Sequence, residues 1–184
     1  DGHLLRGSRR FKEGRFNEAL KDFHAASEYP ENLSVGRPRN DRRAPQVAYY
    51  IGRAYDALGN AEKATEFYKK AAERRGASGS SEARFHQGLS FSKLGQQSEA
   101  DKIFDELIKS GQQKLSERSA VDVFAKFGEG QTVAAHKASA CYALGLGYLG
   151  KGQTDKAKAE FEKAVELNVS HVWARAWLAE SGKR

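Results

Sequence analysis

One cysteine, three prolines, two tryptophans and no methionine stand among 184 residues. A single thiol, Cys141, cannot close an internal disulfide or build a cysteine-based metal site. Beside Tyr142 on a helical face it reads as a small core residue. The prolines, Pro30, Pro38 and Pro45, fall in one stretch, where with Gly36 they bar a long helix. No apolar run approaches the length needed to span a bilayer, which excludes a membrane-spanning helix. An initiator methionine and a basic-then-apolar leader are both missing, and Asp1–Gly7 reads as the middle of something. The chain is therefore expected to be a piece of a longer protein, and its lack of a targeting signal says nothing of location.

Signs of chemistry are equally sparse. His3, His24, His86, His136 and His171 are scattered, and none forms a metal-like pair at helical spacing. There is no serine nucleophile elbow, zinc motif or glycine-rich phosphate loop. Gly145-Leu146-Gly147 lies inside a helical pattern rather than after a strand. No catalytic, cofactor-binding or metal-binding residues are expected, and no enzyme. With 39% apolar and 30% charged residues the chain is too apolar for disorder, and long enough for one continuous domain.

What is present is repetition. Four tetrads share one spacing: Gly7/Arg10/Ala19/Phe23, Gly52/Tyr55/Ala64/Tyr68, Gly88/Phe91/Ala100/Phe104 and Gly145/Tyr148/Ala157/Phe161. A small or apolar residue follows each (Ala26, Ala71, Leu107, Ala164), and a second glycine recurs at Gly14, Gly59, Gly95 and Gly152. Arg10 is the main departure. The pattern predicts two antiparallel helices per repeat, A and B. The first glycine and the alanine should let two backbones approach closely. The aromatic on helix B should pack towards the next repeat. The second glycine should end helix A in the left-handed conformation that glycine takes without steric cost.

These residues resemble the tetratricopeptide repeat (TPR) family. The resemblance implies an all-α, right-handed solenoid of helical hairpins, about four repeats with a concave groove lined by A helices, and a C-terminal capping helix. Repeats are expected near 1–29, 45–75, 81–117 and 132–168 of a single TPR domain, giving about nine helices and no sheet. Equivalent glycines lie 45, 36 and 57 residues apart, against about 34 in a regular array. Insertions are thus expected at 30–44 and 118–131. The latter carries Val121, Val123, Phe124 and Phe127, between long helices that should pack on each other. Residues 171–182 should form the cap, with Trp177 or Leu178 inward. The strings Glu28–Pro38, Val121–Ala125 and Leu144–Gly150 are further similar to the TPR tail of bacterial multidomain proteins. Their N-terminal domain is of unknown, carbohydrate-related function.

In the register of that family the groove positions include Tyr49, Arg53, Asp56, Phe85, Leu89, Tyr142 and Leu146, with Leu4, Ser8 and Phe11 in the first repeat. An apolar stripe of that size marks an interaction surface, unless an insertion or an upstream domain covers it. The expected function is a non-catalytic scaffold for a protein, a peptide or an upstream domain of the same chain. Two alternatives stay open, an accessory tail of a carbohydrate-processing protein and a polyanion binder. Chaperone-binding members clamp a C-terminal carboxylate with Lys, Asn and Arg at these positions. Only Arg53 here could hold an acid, which argues against that clamp. The net charge of +7, with Arg9-Arg10 and Arg37, Arg39, Arg42 and Arg43 bunched, offers phosphate contacts. No aromatics are interleaved for stacking, which argues against nucleic acid.

Overall fold

A computed structural model describes residues 2–28, 43–73, 80–121 and 130–181. Among them are nine α-helices and no strand. They run α1 (Gly2–Lys12), α2 (Phe16–Ser27), α3 (Ala44–Ala57), α4 (Ala61–Ala72), α5 (Ser81–Lys93), α6 (Gln97–Val121), α7 (Gly130–Gly150), α8 (Thr154–Leu167) and α9 (Val172–Ser181). They gather into two compact units, Asp1–Ala100 and Asp101–Arg184.

The turns follow from the sequence. Gly14, Gly59, Gly95 and Gly152 have φ between 72° and 77°, and no other described residue has positive φ. Each closes a six-residue cap. Asn60 N–H donates to the Tyr55 carbonyl at 2.9 Å, and Gly59 N–H to that of Asp56 at 3.0 Å. Gln96 and Gln153 bond back to Phe91 and Tyr148 in the same way. The aromatic three residues after the first glycine thus also supplies the carbonyl that the turn needs. Helix B starts at once, and Asn60 caps α4 by accepting from Lys63 N–H at 3.0 Å.

The close approach has a different partner from the one expected. A Cβ on Gly7, Gly52 or Gly145 would lie within 3.0 Å of the ring of Phe23, Tyr68 or Phe161. The glycine makes room chiefly for the helix-B aromatic of its own repeat. For Gly52 the Ala64 carbonyl oxygen comes next, at 3.3 Å. Phe23 also stacks on Tyr50 of the following repeat at 5.2 Å, so one ring closes its own hairpin and bridges to the next. Leu4, Ala19, Phe23, Ala26, Val47, Ile51 and Ala54 form one buried cluster of unit 1. A ring as fully buried as Phe23 contributes about 1.5–3 kcal/mol.

Arg10, the departure from the repeat pattern, has a physical reason. Its guanidinium donates to Asp22 Oδ2 at 2.8 Å, while Arg6 donates to Oδ1 at 2.6 Å. Asp22 is 3% exposed, and the two guanidinium groups, Arg6 first, hold its carboxyl below the usual range. A buried carboxylate must be paired in this way.

In unit 2, α7 is apolar on all sides, and residues Ala140 to Gly147 are all buried. On one side it meets α8 through Gly145 and Phe161. On another it meets α6 along glycines. A Cβ on Gly147 would lie 2.8 Å from the Phe104 carbonyl oxygen, and one on Gly111 would lie 2.9 Å from that of Ala140. The two long helices flanking the second insertion do pack on each other. α7 begins at Gly130 rather than Thr132, while Val123, Phe124 and Phe127 lie outside the described residues, as does most of the first insertion. The Trp177 ring runs parallel to that of Phe161 at 6.3 Å, and Ala174 is fully buried, so α9 covers the end of α8.

Candidate partner-binding surface

The seven residues in groove register fall into two groups. Tyr49 (7% exposed), Phe85 (1%), Tyr142 (6%) and Leu146 (0%) are buried. Arg53 and Leu89 are half-buried, and Asp56 is exposed. Tyr142 and Leu146 lie on α7 in unit 2, where the Tyr142 ring packs on Phe161 at 5.7 Å and on His171 at 4.5 Å. The other five belong to α3 and α5 of unit 1.

Tyr49 is core in a cluster with Ala64, Tyr68 and Ala71, and both it and Phe85 contact the ring of His86. That imidazole is fully buried and lies 5.3 Å from the Tyr49 ring, 5.2 Å from Tyr50 and 5.5 Å from Phe85. Its Nδ1 contacts the Glu82 carbonyl at 2.8 Å, so the neutral ring carries its proton there. Nε2 has no hydrogen-bond partner. Burial pushes the pKa of His86 down to about 4, with Arg53 adding to the same effect. Burial likewise raises the Tyr49 hydroxyl above its ordinary range.

Above this floor runs a strip of accessible side chains. The Arg53 guanidinium carbon lies over the Phe11 ring, 4.5 Å from its centre, which joins α3 to α1. Asp56 accepts from Lys93 Nζ at 3.1 Å, which joins α3 to α5. The Tyr68 hydroxyl donates to the same Asp56 oxygen at 3.3 Å, and burial with Asp56 second raises its pKa. Arg53 makes no hydrogen bond or ion pair among the described residues. Ser8 Oγ, one helical turn before Phe11, is buried without a partner. Lys93 was missed from sequence. The signal was its position four residues after Leu89, on the same helical face.

The first of the two basic clusters is spent on acids. Arg9 pairs with Glu13 at 3.0 Å and Arg10 with Asp22 at 2.8 Å. Arg37, Arg39 and Arg42 lie outside the described residues. On the helix-B side, a depression of about 610 Å³ is lined by Leu20, Lys21, His24, Ala25 and Tyr55 among others.

Helical hairpins closed by glycine caps, the first two packed on each other through the Phe23 ring, define a helical-repeat protein. The tetratricopeptide repeat profile matches residues 45–77, 82–110 and 138–171, together more than half of the chain. The chain belongs to the tetratricopeptide repeat family. Its repeats are in general non-catalytic modules that mediate protein–protein interaction, and the chain is an interaction scaffold.

Solved structures similar to it include a double mutant of MamA RS-1, 19% identical, covering 98% of this chain and 81% of that one with a TM-score of 0.35. A second is MamA from residue 41 onward of Desulfovibrio magneticus RS-1, at 20% identity, 98% and 81% coverage and a TM-score of 0.31. A third is the C-terminal part of a TPR repeat-containing protein from Cytophaga hutchinsonii, at 18% identity, 97% and 69% coverage and a TM-score of 0.32. No curated protein matches the chain.

Proposed function

We propose that unit 1 holds an extended segment of another polypeptide against the exposed strip of α1, α3 and α5. Phe11, Arg53, Asp56 and Leu89 are the contact side chains, and Tyr49 and Phe85 are the rigid floor beneath them. The observation that carries this reading is the pairing of groove-register side chains across successive repeats, Arg53 on Phe11 and Lys93 on Asp56. Separate repeats thereby present one run of aromatic, aliphatic and charged groups. Interfaces draw their energy from such a mixture of rings and arginine.

The test is retention of the chain on an array of short random peptides. Replacing Arg53 and Leu89 together by alanine is expected to abolish retention while leaving the helical CD signal intact. Equal retention by the double variant would overturn the reading and move the surface elsewhere, with the depression beside His24 next in line.

A further inference from the structure

We infer that the segment held on this strip is acidic, and that Arg53 selects it by taking the carboxylate of an aspartate or glutamate side chain. The inference rests on the groove reading above and adds the chemistry of the partner.

A guanidinium has five N–H donors and no acceptor. At Arg53 one face is occupied by the Phe11 ring, and none of the donors reaches a carboxylate, hydroxyl or carbonyl among the described residues. Every other strongly basic group described above near the strip has an acid of its own. Lys93 holds Asp56, Arg10 and Arg6 share Asp22, and Arg9 holds Glu13. Asp56 is the acid nearest in sequence to Arg53. It is committed to Lys93 and to the Tyr68 hydroxyl. Among the described residues Arg53 is therefore an uncompensated cation, half-buried, with its guanidinium set on an aromatic face. That leaves its planar edge free for the two parallel hydrogen bonds a carboxylate accepts. Ser8 Oγ, on the same face of α1 as Phe11, is a second buried polar group without a partner. The excess of positive charge over the whole chain, +7, favours the approach of an acidic segment.

A side-chain carboxylate fits better than a chain terminus. Holding a terminus takes several convergent donors, and of the neighbouring register positions Phe85 and Leu89 have none while Tyr49 is buried.

The experiment uses two pools of labelled short random peptides, one carrying glutamate where the other carries glutamine, with the termini blocked in both. The wild-type chain is expected to favour the glutamate pool on the order of tenfold, as suits one charge-assisted pair. Arg53→Glu should reverse the preference towards a third pool carrying lysine, and Arg53→Lys should keep part of the original preference. Retention of the glutamate and glutamine pools alike would overturn the acidic partner and leave the groove reading standing. So would an unchanged preference in Arg53→Glu with intact CD. Retention of no pool by the wild-type chain would overturn both. A preference that appears only with a free C-terminus would replace the side chain by a terminal carboxylate and refute the inference as stated.

Discussion

Lowering the pH from about 7.5 to 5 is expected to weaken unit 1 through His86, before the carboxylates begin to titrate. The ring is fully buried, its Nδ1 is committed to the Glu82 carbonyl, and the rings of Tyr49, Tyr50 and Phe85 surround it. Burial holds its pKa near 4 in the folded chain, against an ordinary 6.5. Above 6.5 neither state carries the proton, and the fold keeps its full stability. As the pH falls through 6.5 the unfolded chain takes up a proton that the buried ring refuses, and the balance shifts towards unfolding. The loss reaches about 2 kcal/mol at pH 5 and about 3 kcal/mol near pH 4, where the folded ring also titrates. Burial also lowers the pKa of His24 and His171, which adds to the loss in the same direction. Asp22 acts in a lower window. Its folded pKa lies below 3.8, so its contribution persists above that value and disappears only as the pH falls below it. Urea unfolding followed by CD at the two pH values, for the wild type and for His86→Gln, measures the effect. Glutamine can still donate to the Glu82 carbonyl but does not titrate. The variant should therefore lose about 2 kcal/mol less than the wild type between the two conditions. Equal losses in both would refute the assignment of the acid sensitivity to His86.

Gly145→Leu should force a side chain into the ring of Phe161 and cost about 1–3 kcal/mol in the unfolding of unit 2, so an unchanged urea midpoint would show that the ring can move aside. Asp22→Phe alone should leave Arg10 beside an apolar ring with only Glu18, 3.7 Å away, for a partner, and destabilise unit 1 by about 2 kcal/mol or more. Arg10→Tyr together with Asp22→Phe puts the aromatic and apolar types of the second repeat, Tyr55 and Phe67, at both positions and should recover most of that loss. A double variant as unstable as the single one would mean that the ion pairs themselves hold the first hairpin.

The helices, the left-handed glycine turns and the packing of the two long helices were legible because each rests on local spacing. A glycine and an aromatic at fixed offsets specify a cap whatever surrounds them. The partner of the first glycine was not legible, since both Ala64 and Tyr68 lie on the helix facing Gly52. Only side-chain volume decides that the ring fills the gap. The candidate strip was legible in register but not in exposure. Tyr49 and Arg53 lie four residues apart on one helix face, and sequence alone treats them alike. The Tyr49 ring packs among those of Tyr68 and His86, while a guanidinium resists burial and stays half-buried on Phe11.

The first repeat shows the same logic in its charged residues. In the second repeat Val47, Ile51 and Ala54 face the preceding hairpin and close its core. The equivalent positions on α1 are Gly2, Arg6 and Arg9. Arg6 is 54% exposed and Arg9 83%. Both side chains keep much of the guanidinium in water while pairing with Asp22 and Glu13. Arg10 and Asp22 extend this polar face inward. At position 10, where the pattern calls for an aromatic, the arginine closes the hairpin by charge instead. The one departure from the repeat and the one buried carboxylate of α2 are thus a single feature.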